Sequence, residues 1–260
     1  MRLPKIAILA AAAAGSLGVF ATAHATTFAE YSATSEFDNL QWIQVTDPFT
    51  RTTSGFLEAG GDPVSQFTAD VNFNFLTPSL STLGTLPATL LLASRSPDPT
   101  PAQSFGGYLD EPNISGLFQF TYTGTATLTI NGKTFHTGAN LLSGTFTDAS
   151  IFGQNGSSAG AVTADTATGS TIAMKSAFLK FGTGEQDFAL ELTSIANPLS
   201  ATAGKALNSF GAVSTGSFDS ALTGGGNLSV PEPDSWALML IGLGGLGLAL
   251  RGKARRPLAG

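Results

Sequence analysis

Alternating apolar and polar residues dominate the middle of the chain and predict β-strands. A period of two places alternate side chains on the same face of a sheet. The clearest run is residues 66–75, "QFTADVNFNF", where the apolar positions are Phe67, Ala69, Val71, Phe73 and Phe75. We therefore predict a strand here with one buried and one exposed face.

The same alternation recurs further along the chain. In residues 116–135 it continues up to and beyond Asn131-Gly132, a dipeptide typical of two-residue hairpins, and predicts a meander of antiparallel strands. Residues 177–181 and 188–194 predict a second hairpin around a loop at 182–187. Two further strands are predicted at residues 40–45 and 214–222.

These patterns favour an all-β fold for residues 26–229. Apart from a short turn at residues 201–208, no stretch of this region has a sustained helical period. Strands with one apolar and one polar face indicate an antiparallel β-sandwich, with jelly-roll-like connectivity as one option. We expect one domain with a surface loop at "SPDPTP" (residues 96–101), the alternative being two lobes, and a mobile connection at the Gly- and Ser-rich residues 153–170.

The first 25 residues have the pattern of a secretory signal peptide. Arg2 and Lys5 precede an apolar run over residues 6–20, and Ala23 and Ala25 form a small-residue cleavage site. The mature chain would begin near Thr26. A retained helical anchor is the alternative, but the apolar run is short for a membrane span.

The charge of the chain limits the kinds of partner it can bind, and its lack of cysteine limits how the fold can be stabilised. Residues 26–230 contain sixteen Asp or Glu and six Lys or Arg, a net charge near −10. Because nucleic-acid binding needs clustered basic residues, we expect no nucleic-acid partner. The chain has no cysteine, so disulfides cannot stabilise the fold and a hydrophobic core must do so.

The C-terminal region combines a stiff turn, an apolar run and a basic end. Pro231 and Pro233 restrict the backbone, and residues 236–250 carry no charge. Fifteen residues fall short of the roughly twenty that span a bilayer core, although flanking residues lengthen the run. We predict a transmembrane helix at 236–250, with its C-terminus held on the cytoplasmic side by Arg251, Lys253, Arg255 and Arg256.

Residues 230–257 resemble the PEP-CTERM protein-sorting signal in its Pro-Glu-Pro-x-x-Trp-Ala variant. Every fixed position is filled, by Pro231, Glu232, Pro233, Trp236 and Ala237. The resemblance implies a Gram-negative bacterium that makes exopolysaccharide and biofilm. It also implies processing by exosortase, a membrane-embedded enzyme, and transient membrane attachment through the C-terminal helix. The expected route runs from an inner-membrane intermediate to the outer envelope, cell surface or extracellular matrix. An ordinary C-terminal anchor is the alternative.

Catalytic chemistry has few candidates. His136 is the only histidine outside the signal peptide, no Gly-x-Ser-x-Gly motif occurs, and the zinc and calcium ligand patterns are missing, so we predict no catalytic residues, metal or cofactor. Paired carboxylates are the remaining option, as in glycosidases. The candidates Glu58, Asp62, Asp110 and Glu111 have loop-like neighbours and are expected to be solvated turn residues.

Carbohydrate binding is a second option, because β-sandwiches can present aromatic platforms beside amides and carboxylates. Trp42, Tyr31, Tyr108 and Tyr122 are the available aromatic residues besides Phe, and Trp42 and Tyr108 are the candidate carbohydrate contacts. For Trp42, flanked by Leu40 and Ile43 in a predicted strand, packing in the core is the preferred interpretation.

Three functional hypotheses follow. The first is an exported, non-enzymatic structural or adhesive protein of the cell surface or exopolysaccharide matrix. The second is a carbohydrate-binding module acting in the same place, with exopolysaccharide as its partner. The third is a carboxylate-dependent glycan hydrolase.

Overall fold

β-Strands make up most of the part of the chain that the structure describes. The computed structural model describes residues 25–34, 38–60, 67–97, 101–130 and 132–223. The predicted signal peptide up to Ala23, the carboxylate Asp62 and the whole C-terminal signal lie outside these residues. In the described ranges, the helical structure consists of two single turns, Ser81–Leu83 and Thr166–Thr168, and none is a helix that could cross a membrane.

Fourteen strands occur in the described ranges. In chain order they are β1 (Thr26–Ala33), β2 (Leu40–Thr46), β3 (Thr53–Ala59), β4 (Thr68–Phe75), β5 (Leu86–Arg95), β6 (Gln103–Phe105), β7 (Tyr108–Tyr122), β8 (Leu128–Ile130), β9 (Lys133–Phe135), β10 (Asn140–Gln154), β11 (Gly160–Asp165), β12 (Thr171–Lys175), β13 (Phe181–Ala196) and β14 (Phe210–Leu222). The predicted strands at residues 40–45 and 214–222 are confirmed, as is the β8–β9 hairpin, but this hairpin forms a separate two-stranded sheet instead of continuing a meander from β7. The strand predicted at residues 66–75 corresponds to β4. Phe67 precedes β4, has a positive φ of 63° and is exposed, so the prediction that it lies on the buried face was wrong.

The strand pairings are antiparallel and form a closed circuit. Eight strands pair in the order β1, β4, β5, β7, β10, β11, β13 and β14, and β14 pairs again with β1. β2 and β3 form a second link between β14 and β5. The all-β antiparallel prediction is confirmed, and the single hydrophobic core that these strands enclose is consistent with the predicted sandwich.

The two chain ends of the described domain lie at the same end of the fold. β14 starts beside β2, where Phe210 pairs with Trp42, and finishes beside β1, where Ser220 pairs with Thr26. We call the end that contains Thr26 and Ser220 the terminal end, and the opposite one the distal end. β14 has 13 residues, and at about 3.3 Å per residue the two ends are up to about 40 Å apart.

The core is built largely from aromatic rings. Phe218 lies 5.1 Å from Phe118 and 5.4 Å from Phe120 between ring centroids, and Tyr31 lies 5.1 Å from Phe120. These four rings are almost fully buried, and the Tyr31 hydroxyl shares a 2.8 Å hydrogen bond with the Ser214 hydroxyl. Each strand contributes its alternate apolar residues, so the period of two in the sequence is the origin of this core.

The predicted surface loop near residues 96–101 does not interrupt the core. β5 and β7, on either side of it, pair directly from Ala88 with Tyr122 to Arg95 with Ser115. Ser96, the first residue of the predicted loop, is buried, and its hydroxyl accepts a hydrogen bond from the Gly55 amide at 3.1 Å.

Two predicted connections are strands instead. The predicted loop at residues 182–187 belongs to β13, where an irregular register between Phe181 and Gln186 interrupts the alternation. Gln186 is buried there and accepts a hydrogen bond from the Met174 amide, so a polar residue occupies an inward position. The predicted mobile connection at 153–170 contains β11, whose buried Val162 and Ala164 are small apolar positions between glycines and polar residues.

Candidate functional site: an exposed aromatic patch

Of the aromatic residues considered for carbohydrate binding, only Tyr108 is exposed. Tyr31 and Tyr122 are 2 % exposed and Trp42 is fully buried. The Trp42 indole nitrogen donates a hydrogen bond to the Leu207 carbonyl at 3.0 Å. Trp42 therefore packs in the core, and the structure does not support a carbohydrate contact there, because neither face of its ring is open to a sugar.

Tyr108 belongs to a cluster of three exposed rings, which we call the aromatic patch: Phe105, Tyr108 and Phe152. Their exposed fractions are 52 %, 44 % and 37 %. The Tyr108 and Phe152 rings are stacked, with centroids 5.1 Å apart and planes inclined by 9°, and Phe105 lies 5.9 Å from Phe152. Three contiguous exposed aromatic rings are unusual on a protein surface and indicate an interaction site.

A tight turn brings the patch together. Gly106 and Gly107 have φ angles of 60° and 86°, the backbone geometry that two-residue hairpins require. The hairpin pairs Phe105 of β6 with Tyr108 of β7. β10 lies on the other side of β7 and supplies Phe152, opposite Asp110 and one alternate position from Tyr108.

The patch lies at the distal end. The Asn155 amide donates to the Gly107 carbonyl at 2.9 Å, and the Gly156 amide donates to the Leu199 carbonyl at 2.7 Å. Leu199 belongs to the connection that leads from β13 into the start of β14. The aromatic patch is therefore at the end of the domain opposite to the one where the described chain begins and finishes.

Polar side chains alternate with the aromatic rings on this face. Two rows cross the three strands, one made of Gln103, Asp110 and Phe152 and the other of Phe105, Tyr108 and Gln154. Partial burial raises the pKa of Asp110, and a hydrogen bond with the Ser150 side chain opposes that rise. The surface thus offers ring faces, two amides and one carboxylate within a small area.

Beneath the distal end, buried side chains hold the connection of residues 197–209, which we call the closing segment. The Leu207 amide donates to Glu111 Oε2 at 2.8 Å, while the Leu207 carbonyl accepts from Trp42. The Ala206 amide donates to the Thr53 hydroxyl at 2.9 Å, and the Ala206 carbonyl accepts from the side-chain Nε2 of Gln44 at 2.6 Å. Side chains from β2, β3 and β7 therefore hydrogen-bond with the buried backbone groups of Ala206 and Leu207 in this irregular segment.

Glu111 is the buried ionisable group in this arrangement. Its side chain is fully buried, and Oε1 has no hydrogen-bond partner. Burial raises the pKa of Glu111 to about 7, and the repulsion from Asp110 adds to the rise, while hydrogen bonds from Leu207 and Ser96 oppose it. The expectation that Glu111 is a solvated turn residue was wrong, because "YLDEPNIS" continues β7 and directs this side chain inward.

A row of aspartates crosses the outer face of another part of the sheet. Asp165, Asp187 and Asp219 occupy directly paired positions on β11, β13 and β14. Partial burial raises the pKa of Asp187 to about 6, with further contributions from Asp219, Asp165 and Glu185. Within the described ranges, no group of three or more His, Cys, Asp or Glu side chains is placed to hold a metal ion.

The remaining catalytic candidates do not converge. Glu58 lies in β3 and is half-buried, and His136 is exposed after β9. Asp110 and Glu111 are consecutive in β7, so their side chains point to opposite faces of the sheet. This pair therefore cannot flank one scissile bond.

A local sequence motif predicts part of the patch, independently of the alternation of apolar and polar residues. "FGGY", residues 105–108, places a Gly-Gly dipeptide between two aromatic residues, which predicts a two-residue hairpin with both rings at directly paired positions. Phe152 has no comparable local signal, because only the pairing of β10 with β7 brings it to the patch.

Comparison with known proteins identifies the C-terminal region. The chain matches the family model of the PEP-CTERM protein-sorting motif over residues 229–256, which include Pro231, Glu232, Pro233, Trp236 and Ala237. No curated protein and no solved structure matched the chain. The motif implies an exported protein that exosortase sorts towards the cell surface. The chain therefore carries an all-β domain and, C-terminal to it, a PEP-CTERM sorting signal.

Proposed function

We propose that this chain is an exported, non-enzymatic structural or adhesive protein of the cell surface or exopolysaccharide matrix. The single observation that carries the proposal is the PEP-CTERM motif at residues 229–256, placed directly after a β-domain that ends at β14. In this account the signal peptide directs export, the C-terminal helix holds the chain in the membrane, and exosortase processes it near the Pro-Glu-Pro sequence.

The geometry of the domain supports an adhesive role. The sorting signal follows the terminal end, whereas the aromatic patch occupies the distal end. A domain held through its C-terminus would therefore present Phe105, Tyr108 and Phe152 away from its point of attachment. Exposed aromatic residues are enriched where proteins bind partners.

A carbohydrate-binding module is the second candidate function. The observation that favours it is the exposure of Tyr108 within the patch, next to the amides of Gln103 and Gln154. Aromatic faces with nearby polar groups suit sugars, which have both apolar C–H faces and hydroxyl groups. A structural role without carbohydrate binding would not require this combination.

Cell fractionation of a motif variant tests the sorting proposal. We expect the wild-type chain on the cell surface or in the matrix and the Pro231→Ala/Glu232→Ala double variant retained in the inner membrane. Leu258→Ala, beyond the residues of the signal, is the matched control and should be sorted normally. Equal surface delivery of the double variant and the wild type would contradict the proposal.

A further inference from the structure

The aromatic patch carries information about its ligand as well as its location. Phe105, Tyr108 and Phe152 project from three adjacent strands at the distal end. Neighbouring strands are about 4.8 Å apart, so the patch is about 10 Å wide, which is too narrow for a stable protein–protein interface on its own. A patch of this size can bind a short segment of a flexible polymer. Many copies of the protein could then bind along one polymer molecule.

The polar groups on the patch favour a ligand rich in hydroxyl groups. In each row of three residues, polar and aromatic side chains are mixed: Gln103 and Asp110 accompany Phe152, and Gln154 accompanies Phe105 and Tyr108. Amides both donate and accept hydrogen bonds, and a carboxylate accepts them. A purely apolar partner would leave these groups desolvated without a partner, which costs free energy.

The charge around the patch determines whether a neutral or an anionic polymer of this kind would bind. Neither row contains Lys or Arg, and Asp110 is negative when ionised. The row of Phe152 continues onto the next two strands, with Ala161 of β11 and Glu191 of β13. Glu191 is a second carboxylate on the outer face. The backbone of one cation, Lys205, lies at the edge of the patch, because its carbonyl accepts a hydrogen bond from the amide of Ala102, which precedes Gln103. The two carboxylates outnumber this cation and would repel uronic-acid and sulfated polymers.

We infer that the aromatic patch is a binding site for a neutral polysaccharide. The inference rests on the proposed surface function and specifies its ligand class. The pyranose rings would lie against Tyr108, Phe105 and Phe152, and their hydroxyl groups would bond with Gln103, Gln154 and Asp110. The affinity of one patch would be weak, because only three rings take part. The overall avidity would increase with the number of linked copies of the patch that bind one polymer.

Affinity electrophoresis of the full-length chain in a non-ionic detergent tests this inference. Hydroxyethyl cellulose and carboxymethyl cellulose are suitable probes, because they share a glucan backbone and differ in charge, with galactomannan and dextran as further neutral polymers. We expect at least one neutral polymer to retard the chain and carboxymethyl cellulose not to do so. Tyr108→Ser/Phe152→Ser should reduce the affinity at least tenfold.

Phe67→Ser is the matched control, because Phe67 is 48 % exposed and lies outside the patch. It should leave the affinity unchanged, and thermal unfolding of each variant would verify that the fold is intact. Retardation by none of the neutral polymers, stronger binding of carboxymethyl cellulose, or an equal loss in Phe67→Ser would overturn the inference.

Fractionation of the same variants separates this inference from the proposed function. If the patch variants reach the cell surface normally but no neutral polymer binds, the ligand class is wrong and the sorting account stands. If the wild-type chain never reaches the surface, the proposed function itself fails, whatever the electrophoresis shows.

Discussion

Glu111 is a buried residue that makes the stability of this protein depend on pH. Its carboxyl group is fully buried, holds the Leu207 amide and has an oxygen without a partner. Because burial disfavours the charged form, the pKa rises from 4.5 to about 7. The native state therefore keeps a proton that the unfolded state loses at lower pH.

The sign of the resulting pH dependence follows from linkage. The contribution of Glu111 to stability is fully present below pH 4.5, decreases as the pH rises towards 7, and levels off above it. In the wild type, we expect Glu111 to lower the free energy of unfolding by on the order of 3 kcal/mol between pH 4 and pH 8. Glu111→Gln keeps the shape of the side chain without the charge and should abolish this decrease. Chemical denaturation of the full-length chain in detergent at several pH values measures it.

Glu191→Gln is the matched control, because Glu191 is an exposed carboxylate in β13. It should leave the pH profile close to that of the wild type. A Glu111→Gln profile that falls between pH 4.5 and 7 as steeply as the wild-type profile would show that Glu111 does not titrate in this range.

Gly55 gives a second prediction at the residue scale. A Cβ atom there would overlap the Trp42 ring, which is fully buried and cannot move aside. Overpacking of a filled core costs about 1–3 kcal/mol, so we expect Gly55→Ala to lower the free energy of unfolding by at least this amount. Ser54→Ala, at the next position of β3, should change it little, and an equally stable Gly55→Ala would contradict the packing seen here.

At the scale of elements, the paired aspartates of β11, β13 and β14 place like charges opposite each other. Asp187 lies between Asp165 and Asp219, and its pKa is raised to about 6 by partial burial and by these neighbours. Like charges at directly paired positions destabilise a sheet. This row is therefore a local weakness whose strength depends on pH and on salt.

We expect Asp187→Asn to raise the melting temperature at pH 7.5 and to have little effect at pH 4, where Asp187 is protonated in the native state. Added salt should reduce the difference at pH 7.5, because it screens exposed charges. Glu30→Gln removes one negative charge elsewhere and is the matched control. A gain of the same size in the control would assign the effect to net charge rather than to the row.

The elements also show where sequence patterns succeed and where they fail. β4 and β14 were predicted because each alternates cleanly between core and surface, which is a local property. β13 was predicted as a hairpin because Gln186 turns inward at a register shift, and long-range hydrogen bonds make that polar residue compatible with burial. Likewise, Tyr108 was a candidate contact from its residue type alone, whereas Phe152 reaches the patch only through strand pairing.

At the scale of the whole molecule, the position of the chain ends determines how the domain is presented. Thr26 and Ser220 pair at the terminal end, and Tyr108 pairs with Gln154 at the distal end. A chain held at its C-terminus should therefore expose the distal end more than the terminal end.

Single cysteines test this arrangement, since the chain contains no other. In membrane-held chains, we expect Gln154→Cys at the distal end to react with a large polyethylene-glycol maleimide faster than Thr26→Cys at the terminal end. The same reagent in unfolded chains gives the reference rates. Equal rates in membrane-held and unfolded chains would contradict the proposed presentation.

The central claim is that the chain is an exported β-domain processed at its PEP-CTERM signal, and the intact mass of the protein tests it most directly. The protein would be recovered from the surface and medium of a host with exosortase and from the membrane of one lacking it. The account predicts a product ending near Pro231–Pro233 in the first host and a chain reaching Gly260 in the second. A full-length membrane protein in both hosts would contradict it, because the C-terminal region would then be only an anchor.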